Sequence, residues 1–274
     1  MGNGLFSEHA DRARRGQWRI PDLPWDEPVR YCGESRRERT ICKLDMLEVS
    51  EAMYHFQLGA RARMGDYMVL SWDRDSAFLE CLEWHDTDEI RHLRGLRRLI
   101  EALRQSGDDL PAAKKKPPPS HLWNVARSSP DSWDTNALLV DLLVDEAASR
   151  ALYAAVARRS HVPLVRAVFA ACGEDDMRHE EYMLTFLRAR LAHRRLLTLQ
   201  MRAVAHVALL QSAYRPYYAS FAGATHSTRE SVAIELFRAA SRVLGELGPA
   251  WKKLPPARVL HAADRSPWLL WLLR

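Results

Sequence analysis

The stretches DEIRH (residues 88–92) and DDMRH (residues 175–179) decide how this chain is read. Both run acid, acid, apolar, arginine, histidine. With 11 His and 35 Asp plus Glu in 274 residues, an acid three positions before a His is expected roughly once or twice by chance, and Glu89/His92 and Asp176/His179 are two such pairs. The number of pairs therefore carries nothing, but agreement in class at all five positions does. On a helix, residues i and i+3 share a face, so each pentapeptide can aim a carboxylate and an imidazole at one point.

Composition makes helices the natural carriers. Gly is scarce at 12 of 274, Leu, Ala, Arg and Glu are abundant, and no alternating run of β-branched residues is bounded by turns. Helical spacing predicts long helices over about 37–70, 75–105, 133–159 and from 163 to past 190. Another is expected in LLTLQMRAVAHVALLQSAYRPYYASF, and a last one after STRE (227–230), read as a capping box. The segment SGDDLPAAKKKPPPS divides the helices into two pairs and forms a long exposed crossover. The expected fold is all-α: a four-helix bundle with a long crossover and extra C-terminal helices. Three regions follow: an extended Pro/Trp-rich arm over 1–35, the bundle over 36–195, and additional helices over 196–274 packed on it.

The four cysteines form no CxxC pair and no signal peptide opens the chain, so a reduced, cytoplasmic location is expected. No apolar run reaches the roughly 20 residues of a membrane span. The apolar tail SPWLLWLLR (266–274) is expected to dock on the body or on a partner. The net charge of +5 comes mostly from Arg spread along helices, and aromatic ribonucleoprotein motifs are missing, so nucleic acid is not the expected partner.

Two acid-x-x-His clamps on two helices supply two imidazoles and two carboxylates. A di-metal centre in a bundle needs one further carboxylate from each of the other two helices. SEA (50–52) and DEA (145–147) nominate Glu51 and Glu146, with Glu48 an alternative to the first and Asp141 or Asp145 to the second. His85 lies one turn before Glu89, either as an extra ligand or as a polar core residue, and Cys172 holds the same place before Asp176 as packing. Asp88 and Asp175 are expected to hydrogen-bond the second nitrogen of a His across the bundle, with Arg91 and Arg178 neutralising acid; surface ion pairing is the alternative. Tyr54 and Tyr153 are candidates to carry electrons or line the pocket, or plain core.

The order Glu, acid-x-x-His, Glu, acid-x-x-His over residues 40–190 resembles the ferritin-like di-iron carboxylate superfamily. Within it, the chain is more similar in style to the small soluble oxygenases, such as p-aminobenzoate N-oxygenase, than to ferritin cages. The resemblance implies two Fe, or a mixed Mn/Fe pair, held by Glu51, Glu89, His92, Glu146, Asp176 and His179. It implies O2 as co-substrate, a small organic substrate, an electron-donating reductase or ferredoxin, and a homodimer. The expected activity is that of an oxygenase or oxidase. A tRNA-modifying hydroxylase, a ferroxidase and a metal-free helical protein are the alternatives. One position departs from the pattern: Asp176 stands where the superfamily has Glu, and its oxygens lie about 1.5 Å nearer the backbone.

Overall fold

The computed structural model describes residues 3–70, 76–105, 135–191, 205, 208–209 and 226–248. The described residues are all-helical, in the order α1 (Asn3–Arg15), a single 3-10 turn (Ile20–Asp22), α2 (Arg36–Leu70), α3 (Ser76–Gln105), α4 (Thr135–Arg159), α5 (Pro163–Leu191) and α6 (His226–Glu246). The crossover KKKPPPS, most of the helix expected after residue 195 and the apolar tail lie outside the described residues. No helix among the described residues is long and apolar enough to cross a membrane.

Helix α1 corrects the expectation of an extended arm over 1–35. Its segment NGLFSEHADRARR contains no Pro, and Glu8–Arg12 and Asp11–Arg15 pair at i,i+4 on its outer face. The prolines begin only at Pro21. The arm proper therefore spans residues 16–35 and runs along α3. Trp18 sits beside Arg91 and Gly95, Trp25 lies against Arg98, and the Tyr31 hydroxyl donates to the Leu103 carbonyl. Gly95 makes room for this path, since a Cβ there would meet the Trp18 ring at 3.0 Å.

Local sequence explains the helix starts. Ser35 caps α2: its Oγ accepts from the Glu38 N–H while the Glu38 carboxylate accepts from the Glu34 and Ser35 N–H groups, a reciprocal capping box. Helix α5 begins on Pro163, where the missing N–H and fixed φ cost little.

Side-chain partners give the direction of each helix. Glu51 meets Arg104 while Gln57 meets His92, so α2 and α3 are antiparallel. Glu146 meets His179 while Tyr153 packs on Phe169, which makes α4 and α5 antiparallel. Helices α3 and α5 are antiparallel too, with His85 on Tyr182 and His92 on Asp175. Helix α6 packs on α4, and α1 on α3 and α5.

Two apolar layers stack along the bundle. One contains Phe78, Leu82, Leu143 and Phe186; the other contains Met53, Leu96, Leu99, Leu152 and Phe169. Between them, at the level of residues 85–92, 146 and 175–180, the interior is polar and buried. Phe169 is fully buried beneath this layer and meets Tyr153 edge to face. Phe169→Ala is expected to lower stability by about 3–5 kcal/mol in denaturant unfolding; a loss under about 1 kcal/mol would mean the lower layer is not packed as described.

Candidate metal centre

The repeated pentapeptide is a crossed pair. Asp88 of the first copy accepts from Nε2 of His179 in the second at 3.1 Å, and Asp175 of the second accepts from Nε2 of His92 in the first at 2.9 Å. Arg91 ties both acids together, at 2.5 Å to Asp88 and 3.3 Å to Asp175, and Arg178 bonds Asp175 from its own helix. Asp175 also accepts from the Trp18 indole N–H at 2.8 Å. Both aspartates are fully buried, which excludes the surface ion pair. A carboxylate can only accept, so Nε2 of each His carries the hydrogen and Nδ1 presents its lone pair inward.

Those Nδ1 atoms face carboxylates. His179 Nδ1 lies 3.0 Å from Glu146 and 4.0 Å from Asp176; His92 Nδ1 lies 3.7 Å from Glu89 and 3.9 Å from Asp176. His85 stacks on His179 at 3.6 Å between ring centroids, bonds the Tyr182 hydroxyl through Nδ1 at 2.6 Å, and turns Nε2 toward Glu146 at 3.3 Å and Glu89 at 3.7 Å. The donor atoms fall into two groups, His85/Glu89/Glu146/His179 and Glu89/His92/Asp176, each with all its atoms within 4.8 Å of one another. Glu89 belongs to both.

A lone pair opposed to a carboxylate at hydrogen-bond distance requires a proton or a cation between them. The same need shows in the unmet valences: His85 Nε2, Glu89 Oε2, both Asp176 oxygens and Gln57 Oε1 are buried without a hydrogen-bond partner among the described residues. Leaving one such atom unsatisfied costs about 1–3 kcal/mol. Five converging on one layer are what a cation site, with its donors pointed inward, looks like when built from nitrogen and oxygen ligands. The residues fit a pair of divalent ions.

One expected ligand is not brought to this layer. Glu51 is partly exposed and pairs with Arg104 at 2.5 Å, a residue twelve positions beyond His92 and hence about 18 Å away along α3. The cause is helix phase and level. Lys43, Leu47, Ser50, Met53 and Gln57 form the buried face of α2, and Glu51 turns about 100° from Ser50. At the level of the centre stands Gln57, which sequence reading missed: its Nε2 donates to Tyr153 Oη at 2.6 Å and lies 3.4 Å from His92 Nδ1. The signal was available, because reflecting Glu89 through the midpoint between the end of α2 and the start of α3 lands on residue 57. The same reflection through the turn at 161–163 carries Glu146 onto the DDMRH segment, and there the expectation and the structure agree.

The remaining candidates divide as follows. Glu146 faces the centre, whereas Asp145 is half-buried and Asp141 lies more than one helical turn earlier. Tyr153 is fully buried beside His92, with ring centroids 6.1 Å apart, while Tyr54 packs half-buried in the lower apolar layer. Tyr182, three residues after His179 and so on its face, was not anticipated. Glu180 turns away to Arg150 and Arg242.

Electrostatics show how the chain tolerates this layer. Burial opposes protonation of His85, but the Glu146 and Glu89 carboxylates outweigh it and raise its pKa to about 9. Glu146 is held below the usual carboxylate range: burial would raise it, and His85 and His179 overcome that. Burial, with Glu146, Glu89 and Glu180, pushes Asp176 well above its usual range. Burial lowers His92 despite Glu89. Protons on His85 and Asp176 thus occupy the place of cation charge.

A cavity of about 10 Å³, room for one water-sized molecule, reaches His85, His179 and Tyr182 from beneath α1, past His9, Arg12 and Arg178. Compared with protein-family models and with curated proteins, the chain gives no match.

Two predictions follow from the donor set. Metal must displace the His85 and Asp176 protons, so apparent Fe(II) affinity should climb as pH rises toward about 9, the raised pKa of His85, with proton release on titration calorimetry. The Glu146 half offers two carboxylates and two imidazoles, whereas the Asp176 half offers two carboxylates and one imidazole, with the neutral Gln57 amide in the fourth place. Fe(II) should therefore bind in two unequal steps, with Gln57→Glu tightening the weaker about tenfold and leaving the stronger within about twofold; equal steps would contradict this.

Proposed function

We propose that this chain is a ferritin-like di-iron oxidoreductase that activates O2 to oxidise a small organic substrate, drawing electrons from a separate reductase or ferredoxin. The observation that carries the reading is the shared Glu89, which puts two donor groups edge to edge in a buried layer. A single structural ion needs one closed set of ligands; two adjoining sets joined by one carboxylate suit a pair of ions acting on one small molecule. When bound, the iron pair would supply O2 reduction and the oxidising equivalents, which the side chains cannot.

The chain's own residues supply the rest. Asp88 and Asp175 hold the two histidines in one tautomer and orientation, and Arg91 holds those acids in place. Glu89, Glu146 and Asp176 offset the positive charge of the ions. Tyr182, bonded to His85, and Tyr153, bonded to Gln57, place hydroxyl groups on either side of the layer where a proton can be held. The apolar layers above and below keep bulk water out, which strengthens each electrostatic contact.

Access favours O2 over anything larger through the cavity beneath α1, since it admits only a water-sized molecule. Through this cavity, an organic substrate needs α1 to shift. That helix meets the bundle through the buried Ala10, the His9–Thr185 hydrogen bond and the exposed pairs Arg12–Glu181 and Arg14–Glu80, the pairs being of a kind worth about 0–1 kcal/mol each.

Anaerobic loading with Fe(II), followed by a pulse of O2, tests the proposal. The expected result is about two irons per chain and O2 consumption in proportion to iron, with both lost in Glu89→Ala and in His179→Ala while the helical circular dichroism is kept. Wild-type protein that is folded yet takes up no iron, or takes it up equally in both variants, would overturn it.

A further inference from the structure

Cys32 and Cys42 lie outside the polar layer, where the arm meets α2. Their Sγ atoms are 2.7 Å apart. Cys32 is exposed and Cys42 is buried. We propose that Cys32 and Cys42 are a reversible disulfide site that staples the N-terminal arm to the first long helix.

The approach of the two sulfurs is built by the backbone, and not by chance proximity of two flexible side chains. The chain reverses at Gly33, whose φ of +123° suits glycine, and a Cβ there would fall 2.4 Å from Glu38 Cβ. The capping box between Ser35 and Glu38 then fixes the first turn of α2, and Arg39 binds the carbonyls of Gly33 and Glu34. Cys42 follows on the buried face of the second turn. Closing the sulfurs to a bond of about 2.05 Å needs a shift well under 1 Å.

The two thiols have different chemical situations. Cys42 is inert on its own, since burial and the Cys32 contact raise its pKa to about 11. Cys32 is the sulfur that solvent reaches. A peroxide would oxidise Cys32 to the sulfenic acid, one oxygen passing to sulfur and one leaving as water. Cys42 would then attack that sulfur, losing its proton and releasing a second water as the S–S bond forms. The sum is two thiols and one hydrogen peroxide giving one disulfide and two waters; a dithiol reductant reverses it. Cys81 and Cys172 are almost fully buried and are spared.

The consequence is mechanical. The arm carries Trp18, whose indole N–H bonds Asp175, and Asp175 holds His92. A staple at residue 32 fixes the arm's far end, where Tyr31 bonds the Leu103 carbonyl.

The test uses the full chain, metal-free, treated with hydrogen peroxide at a few equivalents and trapped with an alkylating agent. Peptide mass mapping under non-reducing conditions should find the Cys32–Cys42 link within one chain, reversed by dithiothreitol, with Cys81 and Cys172 alkylated only after unfolding. The oxidised protein should melt about 5 °C above the reduced one, and Cys42→Ser should abolish the shift. Gly33→Val should slow the link at least tenfold while leaving total peroxide consumption by Cys32 unchanged. Cys32 recovered as sulfinic acid or as a dimer-forming disulfide, with Cys42 still a thiol, would overturn the proposal. So would an equal link rate in Gly33→Val.

Discussion

Burying charge is the constraint from which the rest of this structure follows. Asp88, Glu89, Glu146, Asp175 and Asp176 are all within a few per cent of fully buried, in one layer between two apolar ones. Arg91 and Arg178 offset two of those five charges. A buried carboxylate without a counter-charge is too costly to persist, so the remainder must be met by protons, as His85 and Asp176 indicate, or by cations. The crossed bonds from Asp88 to His179 and from Asp175 to His92 decide which nitrogens face inward. They explain why the pentapeptide is written twice: each copy supplies the support for the other's histidine.

Much of this was legible from sequence because it rests on helical periodicity. The i, i+3 spacing put Glu89 with His92 and Asp176 with His179, and the antiparallel pairing of α3 with α5 brings the four together. Glu146, nominated by the same likeness as Glu51, does face the centre. Glu51 does not, because a three-residue likeness between SEA and DEA says nothing about which face of a 35-residue helix turns inward. The buried series Lys43, Leu47, Ser50, Met53, Gln57 holds that information, as do the end of α2 and the start of α3. The error over residues 3–15 had a different cause. The prolines and tryptophans of 17–34 dominate the reading of the N-terminus, and the Pro-free helix before them has its own local ion pairs.

The two halves of the centre are unequal. His85 and Glu146 sit on one side; on the other, Gln57 and Tyr153 form a neutral pair at the level where a carboxylate would close the set. Asp176, shorter by a methylene than Glu, still reaches to within 4.0 Å of both histidines, and it does so with both oxygens unpaired. Asymmetry of this kind gives the two donor groups different ligand types, two imidazoles against one imidazole and an amide, and so different affinity for a cation. It also leaves the arm's indole as the outermost member of a chain running Trp18, Asp175, His92, so that the N-terminal segment is coupled to the weaker half.

Anomalous X-ray scattering from crystals soaked in Fe(II) under anaerobic conditions, recorded at the iron edge, tests the central claim most directly. The account predicts two peaks inside the bundle, one on each side of the Glu89 carboxylate, with His179 and Glu146 nearest the stronger and His92 and Asp176 nearest the weaker. A single buried peak away from Glu89, or peaks confined to the protein surface in a well-ordered crystal, would contradict it.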